Sequence, residues 1–111
     1  MADALKRITG AHAFLKAVRA TLPSVSLEAA EILLLVAHRP GLGMREIGEA
    51  CGLSHATNSR LIAQLSEWQA FAKPGLGLIR AVEDPQERRR KIVSLTEQGQ
   101  TTVARLLKPL A

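Results

Sequence analysis

The stretch Met44–Leu65, MREIGEACGLSHATNSRLIAQL, constrains the fold more than any other part of the chain. Ile47 and Cys51 lie four residues apart, so helical spacing puts them on one face. Gly48 stands between them, and its missing side chain lets a second helix pack close. Gly52 follows where a left-handed backbone must end the first helix, a conformation glycine adopts without strain. Leu53 is expected to be a buried plug, and Ser54 to cap a second helix through its hydroxyl. Leu61, Ile62 and Leu65 then give that helix an inward face. Two short helices crossing near a right angle over a glycine turn form a helix-turn-helix.

The second helix of such a pair normally enters the DNA major groove. Ser54, His55, Ala56, Ser59 and Arg60 fall on its outer face or at its N-terminal end, where side chains reach base edges. Arg60 can donate two hydrogen bonds to a guanine, Ala56 can touch a thymine methyl, and His55 and the serines can bond bases or phosphates. Thr57 and Gln64 are candidate phosphate contacts. Asn58 breaks the pattern, because it falls where such motifs usually bury Val or Ile. A buried Asn without partners costs roughly 1–3 kcal/mol. Either it bonds across to the first helix, or the second helix is rotated and Asn58 faces DNA.

Composition agrees with a polyanionic partner. The formal net charge is +5 and the pI about 10.2, which favours nucleic acid first and an anionic membrane second. The 111 residues are expected to form one domain, 1–111, and 47% hydrophobic content is enough for a core. Only 3% is aromatic, so that core should be Leu, Ile, Val and Ala. A single cysteine excludes an internal disulfide and fits a reducing compartment. The N-terminal MADALKRI has no signal-peptide core, and the apolar run Ile32–Ala37 is far too short to span a bilayer. A cytoplasmic protein with no membrane partner is the expectation.

Ala2–Leu22 reads as a helix whose Leu5, Ile8, Phe14, Leu15, Val18 and Leu22 fall mostly on one stripe. After Pro23, Ser24 or Ser26 caps a second helix running through His38, apolar nearly all round and therefore central. Arg39–Gly43 reads as a loop. Gly43 would be the N-cap of the next helix, with Leu42 and Ile47 spaced as a hydrophobic staple and Glu46 as half of a capping box.

Downstream, Leu78–Val82 reads as a strand, Glu83–Lys91 (EDPQERRRK) as a basic turn, and Ile92 onward as a second strand running into Leu95-Thr96-Glu97-Gln98-Gly99. This strand, basic turn, strand and Leu-Thr-x-x-Gly helix start resemble the wing of the MarR family of winged-helix regulators, over roughly Leu27–Leu107. The fold expected is mainly α with a small β-hairpin wing. Arg88, Arg89, Arg90 and Lys91 supply dense positive charge at the wing tip, and arginine is favoured in a narrow minor groove. The family pattern has Asp, any residue, then Arg before the second strand; here those positions are Glu87 and Arg89, with Asp84 as a substitute buttress. The family passes quickly from recognition helix to wing, whereas Glu67–Gly77 intervenes here. Trp68 and Phe71 are expected to extend the helix by a turn and anchor it, or else to present a partner patch. Thr96 caps the last helix, with Val103, Leu106, Leu107 and Leu110 on one face. The resemblance implies a homodimer paired through the chain ends, 1–22 and 96–111, and a small-molecule effector.

No catalytic constellation is present, and no cofactor is expected. His12, His38, His55 and Cys51 lack metal-ligand spacing. The sequence therefore points to a regulator, most simply a repressor, on a pseudo-palindromic double-stranded DNA operator. The alternative is a winged helix used as a protein interaction module, such as an antirepressor or assembly factor.

Overall fold

A computed structural model describes residues 1–70 and 73–110, the side chains of 68–70 excepted. In chain order its elements are α1 (Ala2–Thr21), α2 (Leu27–His38), β1 (Leu42–Gly43), α3 (Met44–Cys51), α4 (His55–Leu65), β2 (Trp68–Ala70), β3 (Lys73–Pro74), β4 (Ile79–Glu83), β5 (Lys91–Leu95) and α5 (Glu97–Leu107), with a 3-10 turn at Lys108–Leu110. The three-stranded sheet is ordered β1-β5-β4 and antiparallel throughout. β4 and β5 form the wing, in register from Ile79 opposite Leu95 to Glu83 opposite Lys91.

Short-range chemistry starts each helix from α2 onward. Ser26 accepts from the Ala29 amide at 3.1 Å, Ser54 from Thr57 at 3.2 Å, and Thr96 from Gly99 at 3.0 Å, each hydroxyl satisfying an amide of its helix's first turn. Gly43 has no side chain to offer, so Glu46 reaches back to its amide at 3.2 Å, and Leu42 and Ile47 are both buried. α2 is the central helix, with Ala29, Ala30, Ile32, Leu33 and Val36 buried against α3, α4, α5 and β5. Its first residue, Leu27, stands outside that core and is exposed.

Four expectations change. Leu42–Gly43 is a strand within the expected loop; it pairs with Val93 and Ile92 and fastens the wing root to the start of α3. The single stripe of α1 divides: Val18 and Leu22 are buried, but Leu5 and Ile8 are 59% and 62% exposed. The face of α5 divides likewise, with Val103 and Leu106 buried and Leu107 and Leu110 exposed.

The fourth change is at Glu67–Gly77. The helix is not extended, since α4 ends at Leu65 and Trp68–Ala70 pairs as a strand with Lys73–Pro74. The returning chain supplies amides to the last carbonyls of α4, Leu76 to Gln64 at 2.9 Å and Leu78 to Leu65 at 2.8 Å. Those carbonyls would otherwise lack partners. The anchoring or patch role expected of the Trp68 and Phe71 side chains lies outside the described residues.

The Leu-Thr-x-x-Gly sequence is a joint between β5, α5 and the start of β4. The Thr96 hydroxyl donates to the Gly77 carbonyl at 2.6 Å while accepting from Gly99, and the Thr96 amide donates to the Leu78 carbonyl at 3.0 Å. A Cβ on Gly99 would stand 1.9 Å from that Leu78 oxygen, so only glycine fits.

Candidate nucleic-acid interface

The turn between α3 and α4 forms as its residues dictate. Gly52 is left-handed (φ 66°), Leu53 is half-buried behind it, and the Leu53 amide donates to the Gly48 carbonyl at 2.9 Å. Leu61, Ile62 and Leu65 hold α4 against the core.

Asn58 faces inward and is only 4% exposed. Its Nδ2 donates to the Met44 carbonyl at 2.8 Å, so it bonds across to the first helix and α4 is not rotated. It packs over Gly48, where an added Cβ would lie 2.9 Å from Nδ2. The Asn58 Oδ1 is buried without a hydrogen-bond partner among the described residues. Asn58 is thus removed from the outer surface and from the support for an interaction module.

Ser54, His55, Ala56 and Arg60 are exposed, and Thr57 and Ser59 are half-buried. The Ser54 hydroxyl donates to Thr57 Oγ1 at 3.0 Å while capping the helix, so these two hydroxyls are already engaged with each other. His55 and Ser59 line a groove of about 900 Å³ together with Arg45 and Glu49 of α3 and Arg89 and Lys91 of the wing. Arg60 lies outside that groove.

The wing turn is closed by its own backbone. The Asp84 amide donates to the Arg90 carbonyl at 2.8 Å, the Arg90 amide to Glu87 at 2.9 Å, and Asp84 Oδ1 accepts from Gln86 at 2.9 Å. Arg88, Arg89 and Lys91 are exposed and have no ion pair among the described residues. Arg90 differs: it is half-buried and pairs with both Glu46 and Asp84. The buttress expected at Glu87 and Arg89 is absent among the described residues, and the arginine that Asp84 supports is the next one along.

Arg45 was not singled out from sequence, yet its side chain is 94% exposed on the same groove, paired loosely with Glu49 at 3.8 Å. Its place one residue inside the N-terminus of α3 was the available signal. Burial raises the Cys51 thiol above its usual pKa, and Glu31 adds to this by charge and hydrogen bonding, which suits a structural rather than a reactive cysteine. Among the described residues no cluster of three or more His, Cys, Asp or Glu could hold a metal ion, and no helix is long and apolar enough to cross a membrane.

A sequence model of the IclR helix-turn-helix domain matches residues 28–70, which span α2 to β2 and stop before the wing. No curated protein sequence matches the chain. Among solved structures, the PcaV transcriptional regulator from Streptomyces coelicolor, in complex with its natural ligand, is 30% identical; the match covers 93% of this chain and 67% of that one, with a TM-score of 0.61. MepR of S. aureus in complex with DNA matches in fold at 22% identity and a TM-score of 0.71, covering 90% of this chain and 77% of that one. MarR itself matches at 23% identity and a TM-score of 0.68, covering 85% and 64%. The helix-turn-helix, the wing and the joint that closes it, together with these relatives, show that the chain belongs to the MarR family of winged-helix transcriptional regulators.

Proposed function

We propose that the chain is a repressor that binds double-stranded DNA as a homodimer, with α4 in the major groove and the wing tip in the adjacent minor groove. One observation carries this reading. His55 and Ser59 of α4 share a groove with Arg89 and Lys91 of the wing, whose charges have no acid partner among the described residues. Such cations gain most from a phosphate backbone, since each contact releases a condensed counterion. MepR, which has the same fold, is solved in complex with DNA, and this supports DNA as the partner.

The exposed Leu5, Ile8 and Leu15 of α1, with Leu107 and Leu110 near the C-terminal end, support pairing through 1–22 and 96–111. A twofold dimer calls for half-sites about one helical turn apart, hence a pseudo-palindromic operator. The protein acts in the cytoplasm on this reading, and a small-molecule effector would set operator occupancy, as the ligand complex of PcaV suggests for a relative.

Selection of genomic fragments on the purified protein near physiological salt, beside an Arg88→Ala/Arg89→Ala control, tests the proposal. Enrichment of a short inverted repeat that the control loses is the expected result. Recovery of no preferred sequence would refute operator recognition. On the selected repeat, Arg60→Ala should relax preference at one base position per half-site; a uniform loss across sequences would make Arg60 a phosphate contact instead.

A further inference from the structure

We propose that Arg90 holds the wing in position rather than touching DNA, as the centre of an ion-pair strut between the wing turn and α3. The consequence for binding rests on the reading above, but the strut is a property of the free protein.

The Arg90 guanidinium pairs with Glu46 of α3 and, at 3.6 Å, with Asp84 across the wing turn. Glu46 Oε1 also accepts the Gly43 amide, so one carboxylate caps α3, fixes the end of β1 and receives the wing arginine. The close fit shows at Gly43: a Cβ there would lie 2.8 Å from Arg90 Nε and 2.9 Å from Glu46 Oε1. Arg90 itself starts from a fixed point, since its amide and carbonyl are both bonded within the turn. A planar guanidinium can face two carboxylates at once, which a lysine ammonium on a flexible stem does poorly.

The wing needs such a support. An isolated two-stranded ribbon is marginal in water, and β1 adds only two residues of pairing at the root. Without the strut the ribbon would sample more orientations, and DNA binding would have to order it again.

The proposal makes a prediction opposite in sign to simple electrostatics. Glu46 lines the same groove as Arg89 and Lys91. Removing a carboxylate beside phosphates should strengthen binding if charge alone matters. Removing one end of a strut should weaken it. Glutamine at this position retains the capping-box bond to the Gly43 amide, so Glu46→Gln deletes the charge and spares the helix start.

The experiment uses the full chain as wild type, Glu46→Gln and Arg90→Lys. Trypsin nicking between Arg88 and Arg89, identified by mass spectrometry, reads wing mobility in the free protein. Titration of a labelled duplex of mixed sequence reads binding. Glu46→Gln is expected to speed nicking about two- to fivefold and weaken binding by a similar factor, the range for a partly exposed ion pair. Arg90→Lys should weaken binding likewise although its charge is kept. An unchanged nicking rate in Glu46→Gln, tighter binding by that variant, or full affinity in Arg90→Lys would each overturn the strut. Failure of the wild type itself to bind the duplex would instead refute the DNA-binding reading, with nicking still deciding the strut.

Discussion

The packing of Asn58 over Gly48 sets the crossing of α3 and α4, and a double-mutant cycle tests it. In Gly48→Ala the new Cβ would stand 2.9 Å from Asn58 Nδ2, 3.1 Å from its Cγ and 3.4 Å from its Cβ. The amide must move, and its 2.8 Å bond to the Met44 carbonyl goes with it. Losing that bond costs about 0.5–1.5 kcal/mol. Overpacking adds about 1–3 kcal/mol. Alanine returns about 1 kcal/mol over glycine inside a helix. The net is a destabilisation of about 1–3 kcal/mol, or a Tm lower by about 4–12 °C at roughly 4 °C per kcal/mol for this chain length. Asn58→Ala behaves differently. It gives up the same bond but also removes the buried, unpartnered Oδ1, so its cost should fall within about 1 kcal/mol of zero. In the double variant the methyl introduced by Gly48→Ala occupies the space that the Asn58 amide leaves, and the helix gain is realised without a clash. Urea unfolding at one protein concentration should therefore give a coupling of about 2 kcal/mol or more. Additivity within about 0.5 kcal/mol, or a stabilised Gly48→Ala single variant, would refute this account of the helix crossing.

Further expectations concern other parts of the chain. Gly99→Ala should destabilise by more than alanine's helix gain, because its Cβ would meet backbone at 1.9 Å; unchanged urea stability would show that the Leu-Thr-x-x-Gly joint yields freely. For the proposed dimer, Ile8→Glu on the exposed half of α1 should give a monomer in light scattering where the wild type gives a dimer, with little change in helix content by circular dichroism, and a monomeric wild type would refute the pairing. Cys51 should alkylate more slowly than a free thiol at neutral pH, since its raised pKa suppresses the thiolate. The same shift means that the folded state holds the thiol proton longer than the unfolded chain. The associated stability is full below the ordinary thiol pKa and is lost as pH rises through the raised one, so Cys51→Ala should flatten the fall in Tm on the alkaline side.

What could be read from the sequence was mostly what depends on residues three or four apart. The caps at Ser26, Ser54 and Thr96, and the reach of Glu46 to Gly43, each join a side chain to an amide three residues away, so the chain order contains the whole interaction. The turn glycine at 52 is equally local. Contacts between distant residues were hidden. Nothing in Leu42–Gly43 announces a strand, because its partners Val93 and Ile92 lie some fifty residues on. The extra turn expected beyond Leu65 does not form, because the amides of Leu76 and Leu78, which take up the last carbonyls of α4, belong to the returning chain. The stripe on α1 was visible as a stripe, but helical spacing cannot say that Val18 meets the core while Leu5 passes beyond it.

The same limit explains why nothing in the run Arg88, Arg89, Arg90 and Lys91 set Arg90 apart. Four adjacent cations carry equal formal charge in a sequence, but the carboxylate that singles out Arg90 comes from residue 46. A cation already neutralised by protein carboxylates has little counterion exchange left to offer a phosphate. The wing should then neutralise three phosphates per protomer rather than four. Each contributes about 0.9 to the slope of log K against log salt on duplex DNA. Replacing Arg88, Arg89 and Lys91 together should lower that slope by about 2.7 per protomer, and adding Arg90→Met should lower it little further. A further drop of about 0.9 on adding Arg90→Met would mean that the strut opens on DNA and delivers its arginine to the backbone.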